Sequence, residues 1–231
     1  MIYTSINAVI GLQIRNIIPN RKLLSTSLII GMMLPDLDLL LDYLLSLFLK
    51  FNFLYESYIS NTIFHSLFMI PFLSLLILIY LEYKNKNNIT IVIGLSIGMV
   101  IHIIFDILTF KSVGIFYPLF DAKLNFNLGD YFFIEVPNML SKISYSLEFF
   151  FFRLYTWMII QLIIDNKNDY FRIIKKLTIW MKIQLYVFLL FLLLIYFEVD
   201  DSTFSNFFGI LYVPSFLMAL YMTYKTRKII N

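Results

Sequence analysis

Cysteine is absent from the 231-residue chain, so structural disulfides and thiolate metal sites are excluded. Charge is scarce as well: Asp, Glu, Lys and Arg make up 14% of the residues, against about a quarter in soluble domains. With 60% hydrophobic residues and a mean hydropathy of +0.82, a water-soluble globule of this size could not hide its apolar surface. The chain reads as an integral membrane protein, with the lipid bilayer as its surroundings. A net charge of +3, thinly spread, offers no footing for nucleic acid. No Gly/Ser-rich or Pro-rich linker and no internal repeat divides the sequence. Residues 1–231 are therefore read as one all-α transmembrane helical domain. The N-terminus lacks a basic leader and a small-residue cleavage site, and is expected to stay as a helix.

Apolar runs of spanning length are expected over residues 2–18, 23–49, 62–83, 88–110, 143–164, 177–198 and 207–224. The first is short and marginal, so six to seven spans are anticipated. Residues 111–142, with Asp121, Asp130, Pro118 and Pro137, read as an extramembrane or re-entrant connection. Twelve basic residues fall in alternate turns: Arg15, Arg21, Lys22, Lys84, Lys86, Lys167, Arg172, Lys175, Lys176, Lys225, Arg227 and Lys228. The turns between them hold only Lys50, Lys111, Lys123 and Lys142. By the positive-inside rule the C-terminus is cytoplasmic. The aromatic residues are expected mainly on the lipid face and in the interfacial belt.

Polar residues inside apolar spans are costly unless they are paired or functional. The stretch GMMLPDLDLLLDY puts Asp36, Asp38 and Asp42 in such a run. Pro35 removes a backbone donor and disfavours helical dihedrals at Leu34, so the span should break there into 23–34 and 36–49. Both histidines also lie in spans: His65 in NTIFHSLF and His102 in GMVIHIIFD, with Asp106 at i+4 on the same face. Gly94 and Gly98 continue that stripe and admit a second helix closely. His and Asp together are good ligands for a divalent metal, with zinc or another transition metal the expected ion. A lone intramembrane His or Asp often serves packing; it is the shared depth of Asp36, Asp38, His65, His102 and Asp106 that argues for one site. Glu148 and Arg153 are expected to be a structural pair or interfacial residues.

At these residues the sequence resembles the YdjM-like family of inner-membrane proteins, which are described as metal-dependent hydrolases. Gly31, Pro35, Asp36 and Asp38 match one block, and His65 with Ser66 a second. Gly98, His102, Asp106, Thr109, Gly114 and Pro118 match a third. These blocks fill residues 1–120; residues 121–231 read as generic membrane helices. Two departures stand out: Asn7 precedes Gly11 where the family often has histidine, and SNTIFHS lacks the His-Arg-Gly stretch common before the His-Ser pair.

The resemblance implies a bacterial inner-membrane hydrolase. Asp36, Asp38, His65, His102 and Asp106 would hold metal, and Asp38 or Asp36 would act as general base. Asn7, Asp42 and Ser66 are further candidates. The depth of the site suggests a phosphoester of a lipid or other amphiphile as substrate. An ion-coupled transporter is the alternative, since broken helices with carboxylates also serve transport. A catalytically degenerate family member with a structural role is another, given Asn7.

Overall fold

Backbone N–H and C=O groups that face lipid must be satisfied within their own segment, and the apolar runs accordingly wind into helices. The computed structural model describes residues 4–19, 21–49, 51–54, 59, 62–86, 88–108, 114–119, 138–166 and 171–230. Every regular element among them is helical: α1 (Thr4–Ile14), α2 (Leu24–Met33), α3 (Leu37–Leu49), α4 (Met69–Tyr83), α5 (Ile89–Leu108), α6 (Asn138–Asp165), α7 (Phe171–Tyr196), α8 (Asp201–Lys225) and the short α9 (Arg227–Ile230). Most of the expected 111–142 connection lies outside the described residues, as do Thr109, Lys50 and Lys167.

Among the described residues, four helices are long and apolar enough to cross a membrane: α5, most of α6, α7 and α8. The other expected spans fall short of that length, each for a physical reason. α1 has 11 residues, roughly 16 Å at 1.5 Å per residue. Its first turn meets the middle of α6 and α8, where Ser5 donates from both N–H (3.0 Å) and hydroxyl (2.8 Å) to Glu148, and Thr4 bonds the Tyr212 hydroxyl at 2.6 Å. Glu148, expected to pair with Arg153 or sit at the interface, is instead a buried carboxylate capping this helix start. The run 24–49 is interrupted by a 3-10 turn at Leu34–Asp36. Leu34 itself keeps helical dihedrals (φ −64°, ψ −39°), so Pro35 tightens the helix without unwinding it. The expected 62–83 helix begins only at Met69; residues 62–68, which carry His65, form an irregular strap.

The most extensive helix contact joins α2 to α5, and three glycines make it. A Cβ on Gly94 would overlap Ser27, one on Gly98 the Leu28 carbonyl, and one on Gly31 the Leu95 carbonyl. The two backbones therefore touch, with no side chain between them. The second half of the chain packs differently. Phe149, Phe152, Phe191, Phe204, Phe208 and Phe216 are all fully buried, with Phe149 stacked on Phe191 at 5.0 Å between ring centres. The expectation that aromatics mostly face lipid holds here only in part: these rings are buried, while Phe150, Trp157, Phe171, Tyr186, Tyr196 and Tyr224 are exposed. α6, α7 and α8 have one glycine among them, Gly209, so large rings fill the space between their axes.

The basic turns gather at one end of the bundle. Thr90 donates to the Lys22 carbonyl at 2.7 Å, joining the α4–α5 and α1–α2 turns. The last turn of α1 meets residues 157–162 of α6, just before the α6–α7 turn.

The glycine contact generates a graded prediction. Gly98→Ala puts a methyl on backbone that cannot shift, and should lower Tm in detergent by several degrees, for an overpacking cost of about 1–3 kcal/mol. Gly11→Ala meets mainly the movable side chains of Met32 and Ile29 at 3.1–3.2 Å and should cost less. Equal Tm losses in the two variants would refute the asymmetry.

Candidate metal centre

His102 and Asp106 stand one turn apart on α5, and the glycine contact brings α2 against that face. In the 3-10 turn, N–H groups bond three residues back, and Pro35 has no N–H at all. The Met32 carbonyl is thereby left available, and His102 Nδ1 lies 2.6 Å from it. A carbonyl only accepts, so Nδ1 carries the proton and Nε2 of His102 keeps its lone pair. Asn7 reaches the same Nδ1 from α1 at 2.8 Å through Nδ2. Half a turn of the carboxamide presents its Oδ1, otherwise without a partner, to that N–H.

His65 is held by the strap. Phe64 N–H donates to both oxygens of Asp38 at 3.2 Å, and His65 Nδ1 lies 3.0 Å from Asp38 Oδ2. One turn further along α3, Asp42 accepts the Ile59 N–H at 2.9 Å. On the strap's other side, Leu67 N–H donates to the Ile115 carbonyl at 2.9 Å and the Ser66 hydroxyl to the Tyr117 carbonyl at 2.5 Å. The irregular backbone is tolerated in the bundle because carboxylates and the 114–119 segment take up its donors. With Nδ1 donating to a carboxylate, His65 too turns a lone pair at Nε2 toward the interior.

The two lone pairs face one another. His65 Nε2 and His102 Nε2 are 3.2 Å apart. Asp106 Oδ2 lies 2.9 Å from the first and 3.2 Å from the second, and Asp36 Oδ1 lies 3.8 Å from His102 Nε2. Ligand atoms of Asp36, His65 and His102 all fall within 4.8 Å of one another. All four side chains are buried, Asp106 and His102 completely. Four electron-pair donors crowded together repel unless a proton or a cation sits among them. Donors about 2.0–2.1 Å from a tetrahedral zinc would stand about 3.3–3.4 Å apart; the observed separations bracket that value. Asp36 Oδ2, buried and without a hydrogen-bond partner, is a further donor. The residues present fit a divalent metal ion.

The structure thus brings together Asp36, His65, His102 and Asp106 at one point. Asp38 and Asn7 meet the far nitrogens of the two imidazoles, while Asp42 and Ser66 lie on the strap's anchorage. The Met32 carbonyl and Glu148 gave no sequence signal as parts of this arrangement. A carbonyl carries no residue signature, and the partner of Glu148 is a helix start 143 residues away.

Neither a curated protein nor a solved structure matches the chain significantly. A family model does match, over residues 4–202. It reaches well beyond the roughly 120 residues that carry the motif blocks, so much of the second half is shared with the family too. The chain belongs to the family described as YdjM inner membrane protein.

Proposed function

We propose that the protein is a membrane-embedded, metal-dependent hydrolase. The observation that carries this reading is the convergence of two imidazole lone pairs on carboxylate oxygens, with the opposite nitrogen of each ring already committed as a donor. Metal-ligating histidines are commonly held in this way by a carboxylate or a carbonyl. His65, His102, Asp106 and Asp36 are the ligands in this reading. Asp38 fixes the tautomer of His65, and Met32 with Asn7 fixes that of His102. Asn7 then needs no metal bond of its own, so its replacement of the family's usual histidine leaves the ligand set intact. Bound there, a divalent cation would polarise a scissile ester and acidify water. Asp36, whose Oδ2 has no partner, is the candidate general base. A site enclosed by membrane helices suits an amphiphile, and a phosphoester of a lipid is the proposed substrate class.

An ion-coupled transporter would be expected to carry a second, symmetry-related broken helix. α8 runs unbroken through its internal Pro214, and Pro71 of α4 sits in that helix's first turn. We propose six to seven membrane passages, counting the interrupted run 24–49 and the shorter helices, with the basic turns and the C-terminus on the cytoplasmic side.

Purified protein should hold about one equivalent of divalent metal per chain and hydrolyse lipid phosphoesters. His102→Ala should abolish both while the protein still unfolds cooperatively; unchanged metal content in that variant would end the proposal. Asp38→Ala should weaken metal binding about 10–100-fold, measured by competition with a chromophoric chelator. An unaltered affinity would remove Asp38 from the site. The absence of cysteine makes topology directly testable with single-cysteine variants. A membrane-impermeant maleimide added to intact cells should label Ser202→Cys and spare Asn85→Cys; the opposite pattern would invert the orientation.

A further inference from the structure

Away from the histidines, the last turn of α1 and the second half of α6 enclose a crevice of about 190 Å³, lined by Gln13, Arg15, Asn16, Trp157 and Gln161 over an apolar floor that includes Leu12. Arg15 makes no side-chain hydrogen bond or ion pair among the described residues, and its Nη1 is buried without a partner. A guanidinium cannot shed its charge by losing a proton, so the half-buried Arg15 keeps an unmatched positive charge at the crevice. The terminal carbonyls of α1 would be its natural partners, yet none accepts from it. No carboxylate lines the crevice. What does line it is a fork of donors, three carboxamides and an indole 47% exposed at the rim.

We propose that this crevice binds the phosphate of a membrane phospholipid at the basic end of the bundle. The chemistry fits each part. The guanidinium pairs with phosphate through two parallel N–H bonds. The carboxamides of Gln13, Asn16 and Gln161 donate to its remaining oxygens or to the glycerol. Trp157 suits the headgroup depth, and Leu12 receives the start of an acyl chain. Arg21 and Lys22, in the turn that follows α1, add to the positive field. The site is separate from the metal centre and stands whether or not the protein hydrolyses anything.

The test uses the full chain in a neutral detergent with Trp180→Phe, which leaves Trp157 as the sole tryptophan. Short-chain phosphatidylglycerol below its micelle concentration is titrated while Trp157 emission is followed. A saturable change is expected, with affinity at least tenfold weaker in Arg15→Gln, intermediate in Arg15→Lys, and reduced in Gln161→Ala. Equal metal content and Tm across these variants would separate the effect from misfolding. Inorganic phosphate is titrated in parallel: saturation at much higher concentration supports a lipid phosphate, whereas equal affinity would replace the lipid with free phosphate as occupant. A short-chain diacylglycerol giving the same response, or affinity unchanged in Arg15→Gln, would overturn the proposal.

Discussion

Everything near the histidines depends on how closely the backbones of α2 and α5 touch. Gly31, Gly94 and Gly98 remove the side chains that would otherwise hold the helices apart. Lipid tails give helices no hydrophobic reason to associate, so close packing and buried hydrogen bonds must supply the attraction. Here both act at once. Because the backbones touch, the Met32 carbonyl falls within 2.6 Å of His102 Nδ1, and the 3-10 turn that follows delivers Asp36 to the opposite nitrogen. A wider gap would cost the buried Met32 carbonyl the imidazole that meets it.

A second constraint is that three buried carboxylates, Asp38, Asp42 and Glu148, each answer donors on another element. Asp38 and Asp42, one turn apart on α3, take up the Phe64 N–H of the strap and the Ile59 N–H before it. Glu148, deep within α6, answers the free N–H and hydroxyl of Ser5 at the start of α1. That bond sets the register of α1, and Asn7, two residues on, meets His102. Single polar residues scattered over five helices thus form a connected scaffold around one small volume. The aromatic half of the bundle supplies the rigid wall against which α1 is pinned.

Much of this was legible in the sequence because membranes make polar residues conspicuous. Two histidines and three aspartates in apolar runs could be singled out by cost alone, and the i+4 spacing of His102 and Asp106 placed them on one face. The glycine stripe named the face that a neighbour would approach. What stayed hidden depended on the backbone. The run 62–83 is apolar enough to read as helix throughout; the Phe64 N–H lodged on Asp38 and the Leu67 N–H on the Ile115 carbonyl show that 62–68 is a strap. Pro35 marked the interruption, but the residue before it kept helical dihedrals that local sterics alone would disfavour. The buried phenylalanines of α6, α7 and α8 look in sequence just like lipid-facing ones, since both environments are apolar.

The central claim is that His65 and His102 turn bare Nε2 atoms onto one divalent cation alongside carboxylate oxygen. X-ray absorption at the metal edge of the purified protein tests it most directly. The account predicts a first shell of nitrogen and oxygen at about 2.0–2.1 Å, with outer-shell scattering from two imidazoles that falls to one in His65→Ala. A metal shell without imidazole scattering, or the same spectrum from wild type and His65→Ala, would contradict it.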